Sequence, residues 1–273
     1  MVTATRIRAH VISGGFPPGQ PAGHDIDFAR MRLLEILEAE EGVLTTTAND
    51  FVDVQKWLHD CQFLVTYVSG PFADDPQAAY IQEWLEAGGR WLALHGSTGG
   101  KAARVGEGPR RMVKGEHHKT LGGFFINHPP VRRIEVNVVD RDHRLTQGVP
   151  ASFSVIDEPY MIELQEPEST HLLLTTEFGE DPSPPGFGFA YDEDTSLLPD
   201  GKTRALGFIR DVGQGGVTYF ALGHCHNPTT NSQPFVDESV HAEGITPTVL
   251  RDTWESEAYL QLLRNGIAWG LDR

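Results

Sequence analysis

Apolar runs rich in branched residues recur through the first hundred positions as RAHVISGG (8–15), GVLTTT (42–47), QFLVTYVSG (62–70) and RWLALHG (90–96), each followed by turn residues. Such runs predict buried parallel strands. Between them the periodicity becomes helical. Phe28, Met31, Leu34 and Leu37 follow helical spacing, and ADDPQAAYIQEWLEAGG offers an Asp cap, Pro76 in the first turn, apolar Ile81, Trp84 and Leu85, and a Gly88-Gly89 stop. Alternating strands and helices predict an α/β fold with a mainly parallel sheet. The second half is richer in strands: RRIEVNVVD (132–140), HLLLTTEF (171–178), RALGFIRDV (204–212) and GGVTYFALGH (215–224), the last two joined by a predicted hairpin at GQGG. A closing helix places Tyr259, Leu262, Leu263 and Ile267 on one stripe. Segments 180–203 and 227–250 are rich in Pro, Gly, Asp and Thr without periodicity, and predict long surface loops.

The charge balance narrows the partners. Acidic residues outnumber basic ones 38 to 22, a net charge of -16, which repels nucleic-acid phosphates and anionic membranes, so neither is an expected partner. Cys61 and Cys225 lie far apart and fit small buried thiols in a reducing compartment. No apolar run approaches the ~20 residues of a membrane helix, and the opening MVTATRIRAHVISGG is too short in apolar residues for a signal peptide, so a cytoplasmic location is expected.

Ligands of open α/β sheets bind beyond the carboxyl ends of the strands, and that is where the histidines collect. His24 follows the first strand, His95 ends the fourth, His128 stands in LGGFFINHPP, and His224 and His226 end VTYFALGHCHN, while Glu158 in VIDEPY ends another apolar stretch. A lone histidine beside an apolar strand is more often a hydrogen-bonded packing residue than a catalyst. Convergence of several strand ends favours a site. The same residues invite a divalent metal, zinc or manganese, with His95, His128, His224 and His226 as possible ligands, although neither Cys-x-x-Cys nor His-Glu-x-x-His is present. Cys225 is expected to be a packed thiol rather than a nucleophile. The stretch KAARVGEGPRRMVKGEHHK gathers Lys101, Arg104, Arg110, Arg111, Lys114 and Lys119, and is either a solvated loop or a lid over an anionic or polyhydroxylated substrate. GSTGG lacks the spacing of phosphate-binding loops, so no nucleotide is expected.

Taken in order, GGRWLALHGSTGG, LGGFFINHPP, DEPY, GQGGVTYFALGHCHN and LLRNGIAWGL resemble the ThuA-like family, named for trehalose utilisation, within the class I glutamine amidotransferase-like superfamily. The likeness spans nearly the whole chain and implies a single domain over 1–273, a flavodoxin-like three-layer sandwich with a strand-rich extension. His95 stands where amidotransferases carry their cysteine, so the resemblance argues against glutaminase chemistry: an imidazole serves as acid, base or ligand, not as a thiolate. YFALGH matches the segment supplying the amidotransferase histidine, which sets His224 opposite His95. DEPY resembles the family's Asp-Glu-Leu-Tyr, with Pro159 in place of Leu. The basic stretch after the elbow and the long 227–250 loop depart from the family.

These features together predict an enzyme of carbohydrate metabolism, acting on trehalose or a related sugar or polyol by isomerisation, elimination or hydrolysis. His95, His224 and Glu158 are the expected catalytic residues, and His24, His128, Asp157, Tyr160 and Asn227 the expected substrate contacts. The alternative is a non-catalytic sugar- or protein-binding member of the fold. Exposed apolar loop residues, Phe187, Phe189 and Phe235, make a homo-oligomer plausible.

Overall fold

Branched apolar runs become central parallel strands because both of their faces are covered, and the first half of the chain follows that rule. In the computed structural model, which describes residues 6–104 and 106–273, β1 (Ile7–Gly15), α1 (Ile26–Glu38), β2 (Val43–Ala48), α2 (Val54–Leu58), β3 (Phe63–Ser69), α3 (Asp75–Glu86) and β4 (Arg90–Leu94) alternate as predicted. The opening residues 1–5 and Val105 of the basic stretch lie outside the described residues. The chain continues through β5 (Lys101–Arg104), β6 (Arg110–Val113), α4 (Glu116–Leu121), β7 (Gly123–Asn127), β8 (Arg132–Val138), β9 (Ser152–Asp157) and β10 (Met161–Leu164). It ends with β11 (His171–Glu177), β12 (Thr203–Val212), β13 (Gly215–Phe220), α5 (Asp252–Glu255) and α6 (Glu257–Gly270).

Nine strands form one sheet in the order β2-β1-β3-β4-β13-β12-β11-β8-β9. From β2 to β13 neighbours are parallel, and from β13 to β9 antiparallel, so the strand-rich extension continues the central sheet instead of forming a separate layer. The GQGG hairpin joins β12 to β13 with Val212 opposite Gly215. Helices cover both faces: α3 touches α2 and α4, while α1 meets α5 through Phe28 and Trp254, 5.9 Å apart, and α5 meets α6. The result is the three-layer sandwich.

Local chemistry explains the helix ends. Asp74 accepts from the Gln77 amide while the Gln77 side chain accepts from the Asp74 amide, a reciprocal cap, and Gly88 at φ +111° leaves α3 in the left-handed conformation. On α6 the buried set includes all four predicted residues, Tyr259, Leu262, Leu263 and Ile267. On α1 the stripe is displaced. Ile26, Ala29, Leu33 and Leu37 face the sheet while Met31 is 60% exposed, because the helix starts at Ile26 under the Asp25 cap and small Ala29 takes the close approach. The hairpin β5–β6 and the pair β7–β10 were not anticipated, their apolar runs being too short to carry a period.

The 180–203 loop lacks regular structure but is pinned from beneath. Arg204, fully buried on β12, donates to both carboxylate oxygens of Asp194 (2.9 and 2.6 Å) and to the Gly179 carbonyl (2.5 Å), and lies 4.4 Å from the Phe178 ring. Arg204→Ala leaves the Gly179 carbonyl without its donor and Asp194 with only the amide and hydroxyl of Ser196; a loss of about 3 kcal/mol in urea unfolding is expected, together with faster proteolysis within 180–203.

Candidate active site

Strand β4 delivers His95 onto a sharp turn. His95 has φ +43° and opens a single 3-10 turn, His95–Thr98, a conformation that costs a non-glycine residue roughly 1–3 kcal/mol unless its surroundings hold it. They do. The Tyr219 hydroxyl donates to the His95 carbonyl (2.8 Å), His117 Nε2 to the Ser97 carbonyl (2.8 Å) and His118 Nε2 to the Gly99 carbonyl (2.8 Å). A side chain at Gly96 would place its Cβ 2.6 Å from the Val68 carbonyl of β3, so only glycine lets the turn lie this close to the neighbouring strand. His117 and His118 come from the end of the basic stretch, where the run of charges hid them as individual residues.

Three imidazoles and one carboxylate converge on this turn. Ligand atoms of His24, His95, Glu158 and His224 all lie within 4.8 Å of one another in a buried site. Hydrogen bonding fixes the tautomers, since a carbonyl oxygen can only accept. His95 Nδ1–H donates to the Ala221 carbonyl (2.7 Å) and His24 Nδ1–H to the Ala22 carbonyl (2.8 Å), so the Nε2 lone pairs of both rings face inward, 3.0 Å apart. His226 Nε2–H donates to the Pro247 carbonyl (2.8 Å). Its Nδ1 therefore accepts the Nε2–H of His224 (3.0 Å), which turns the His224 Nδ1 lone pair toward the others. Glu158 Oε2 completes the set at 3.3 Å from His95 Nε2 and 3.2 Å from His224 Nδ1, and neither Oε2 nor His224 Nδ1 has a hydrogen-bond partner. Acceptors face acceptors in a buried centre.

Burial pushes the His224 ring down to about 3, against the pull of Glu158, so it is neutral at neutral pH. Burial alone would raise the Glu158 carboxyl, but the His128 imidazole, first among the groups that oppose it, helps hold it well below the usual range, an anion. Asp157, adjacent and fully buried, has a different task. It accepts from the amides of Gly223 (2.7 Å), His224 (2.9 Å) and Glu158 (2.8 Å) and from the Thr253 hydroxyl (2.6 Å), which fixes both segments that carry ligand atoms. Its carboxyl is raised by burial, with these donors opposing.

The remaining residues singled out in the sequence lie around this centre. His128 Nδ1–H donates to the Pro129 carbonyl (2.8 Å), leaving Nε2 3.7 Å from Glu158 Oε1. The Tyr160 ring lies 4.2 Å from that of His95. Asn227 is bound to Asp25 (2.7 Å) and to the amides of its own turn. Gln233, from the 227–250 loop and not foreseen, donates to Glu158 Oε1. Cys225 is a buried thiol pushed up to about 12 by burial, a packing residue. Phe187, Phe189 and Phe235 are half-buried, contrary to the exposure expected of them: Phe187 contacts His128 (5.7 Å) and Phe235 (5.3 Å), and Phe189 contacts Phe125 (5.8 Å). The basic stretch packs on the 180–203 loop, with Arg111 paired twice to Asp192 (2.8 Å) and Arg110 over Phe189. A recess of about 180 Å³ beside Leu44, Trp57 and Cys61 touches none of these residues.

A flavodoxin-like sandwich with histidine on the elbow after its fourth strand places the chain in the amidotransferase-like class. The chain belongs to the ThuA family, whose model, described as trehalose utilisation, matches residues 19–244. Two solved ThuA-like proteins share the fold: one from Bacteroides uniformis ATCC 8492 (TM-score 0.64, 16% identity, 100% of this chain and 94% of that one) and one from Parabacteroides merdae ATCC 43184 (TM-score 0.56, 16% identity, 98% and 91%). A cold-adapted β-galactosidase from Rahnella sp. R3 contains the same fold in part (TM-score 0.51, 16% identity, 80% of this chain and 29% of that one). No curated protein matches the sequence. Among the described residues, no helix is long and apolar enough to cross a membrane.

Two buried imidazoles outside the cluster set an acid limit on stability. Burial pushes His10 down to about 4 and His117 to about 3, whereas each titrates near 6.5 in an unfolded chain. Below pH 6.5 the unfolded state therefore binds the extra protons, and stability falls as acid is added. Chemical denaturation stepped from neutral pH to about 4 is expected to show a loss approaching about 1.4 kcal/mol per pH unit for each ring; a flat profile contradicts neutral burial.

Proposed function

We propose that this ThuA-family chain is an enzyme acting on a sugar or polyol by proton transfer at a divalent metal, zinc or manganese, held by His24, His95, Glu158 and His224. The observation that carries the proposal is the set of inward lone pairs: three imidazole nitrogens, each with its N–H turned outward, and an anionic oxygen without a donor. Neutral imidazoles with one carboxylate suit zinc and neighbouring divalent ions. When bound, such an ion polarises a carbonyl or hydroxyl oxygen and lowers the pKa of water.

The chain's own groups supply the rest. His226 orients His224, as the carbonyls of Ala221 and Ala22 orient His95 and His24. His128, its Nδ1–H tied to Pro129, has Nε2 3.7 Å from Glu158 Oε1, from where it takes or returns a proton. Tyr160, Phe125, Phe187 and Phe235 form an aromatic wall that suits the apolar face of a pyranose and excludes water.

The test is metal content by inductively coupled plasma mass spectrometry on protein purified without chelator, beside keto-sugar turnover. Near-stoichiometric metal is expected, lost in His95→Gly, His224→Ala and Glu158→Gln, with glycine at 95 chosen because it removes the ring without straining the turn. His226→Ala is expected to weaken metal binding roughly 10- to 100-fold while leaving the ligands in place. Wild-type protein that takes up no zinc or manganese on supplementation overturns the metal site; folded, metal-loaded protein inert toward every keto-sugar and trehalose points to sugar binding without turnover.

A further inference from the structure

The 227–250 loop brings an amide side chain to the one carboxylate of the cluster. Gln233 donates from Nε2 to Glu158 Oε1, the oxygen that lies toward His128, whereas Oε2 is the oxygen that lies toward His95 and His224. A carboxylate oxygen only accepts, so the nitrogen of the Gln233 amide is the atom turned to it. Gln233 Oε1 is thereby left buried without a partner. Burying an amide with half of its hydrogen bonding unmet costs stability, which argues that it stands there for what it does to Glu158.

The backbone around Gln233 is built to deliver that amide. Asn231 Oδ1 accepts from the Gln233 backbone N–H (2.8 Å), and the Thr246 hydroxyl donates to the Gln233 carbonyl (3.1 Å). The preceding turn is folded on Asn227, whose carbonyl accepts from the amides of Thr230 (3.1 Å) and Asn231 (2.9 Å) and whose side chain donates to Asp25 (2.7 Å), the cap of α1. Ser232 lies against Gly23, where a Cβ would run into the Ser232 hydroxyl, so the loop is seated on the segment that carries His24. One short stretch therefore packs on His24 and bonds to Glu158.

We propose that Gln233 is a positioning residue for Glu158: its amide occupies Oε1 and fixes the rotation of the carboxylate, so that Oε2 alone is offered to the ion. The assignment rests on the proposed metal site and goes beyond it, making Glu158 a one-oxygen ligand aimed by a loop that supplies no ligand itself. Metal-binding carboxylates depend on such outer hydrogen bonds for their orientation. His128 cannot replace the amide, because its neutral ring, with Nδ1–H tied to Pro129, presents Nε2 as an acceptor and offers Oε1 no hydrogen bond.

The test compares wild type, Gln233→Met, Gln233→Leu and Ser239→Ala in two measurements: the zinc dissociation constant, by competition with a chromogenic chelator, and the visible absorption of protein loaded with cobalt(II). Met and Leu remove the donor at similar volume. Ser239→Ala loosens the same loop where its hydroxyl accepts from the Arg133 amide on β8 (3.0 Å), and leaves Gln233 in place. Both Gln233 variants are expected to bind zinc about 10- to 100-fold more weakly. Their cobalt absorption is expected to lose intensity, as the freed Oε1 joins the ion and raises its coordination number. Ser239→Ala is expected to stay within about twofold of wild type in affinity, with the wild-type spectrum. Unchanged affinity or an unchanged spectrum in the Gln233 variants, or an equal loss in Ser239→Ala, overturns the assignment. So does failure of both Gln233 variants to fold, which would make Gln233 a folding residue. Wild-type protein that takes up neither zinc nor cobalt overturns the proposed function and this inference together, whereas metal-loaded wild type matched by its Gln233 variants removes this inference alone.

Discussion

Acceptors turned toward one another in a buried centre are the constraint on which the rest of this site depends. Three imidazoles keep their N–H groups for carbonyls outside the cluster, at Ala22, Ala221 and, through His226, Pro247, and an unpartnered carboxylate oxygen stands among them. In water such a set would be dispersed by solvation. Here the backbone fixes it, because each outward carbonyl belongs to a segment leaving a strand or closing a loop. Parallel pairing of β4 with β13 puts the elbow beside residues 221–224, and β3 and β1 deliver Ser69 and the His24 loop alongside. The architecture thus makes neighbours of residues separated by up to 200 positions.

Glu158 is the exception that the rest of the fold is arranged to reach. It follows β9, the far edge strand, four strands from β13, yet its side chain meets the centre. Asp157 makes this possible by accepting from Gly223, His224 and Thr253, tying the end of β9 to the loop after β13 and to α5. Consecutive buried carboxylates therefore divide the work: one is fully hydrogen-bonded and positions, the other is left short of donors and faces the ligand atoms. Buried charge without a partner is costly, so an unpaired Glu158 oxygen marks a place where a positive group belongs.

Much of this was legible in the sequence, and the boundary is physical. Apolar runs ending in turns placed the parallel strands, and the residues just past them, His95, His224 and Glu158, named the cluster. The sequence offers His24 only as a substrate contact, because its loop has no period and its direction is set by Ala22 and Ser69. The displaced stripe of α1 shows the same limit: helical spacing fits either Met31 or Ala29, and only the closeness of the sheet chooses the smaller. His117, His118 and Gln233 were missed for a related reason. Their partners are backbone carbonyls and one carboxylate oxygen contributed by other segments, and no local pattern encodes such contacts.

Histidine on the elbow also changes what the turn is for. In an amidotransferase the turn exposes a thiolate to attack, whereas here the 3-10 turn buries an imidazole completely and clamps its Nδ1–H to Ala221. A nucleophile needs access; a ligand or proton carrier needs orientation. Anchoring of the turn by Tyr219, His117 and His118 supplies orientation and not access, since a ring with one nitrogen fixed to a carbonyl can aim its other lone pair in only one direction. The strained φ at His95 is held for that aim, and the same scaffold that elsewhere presents sulfur presents a lone pair here.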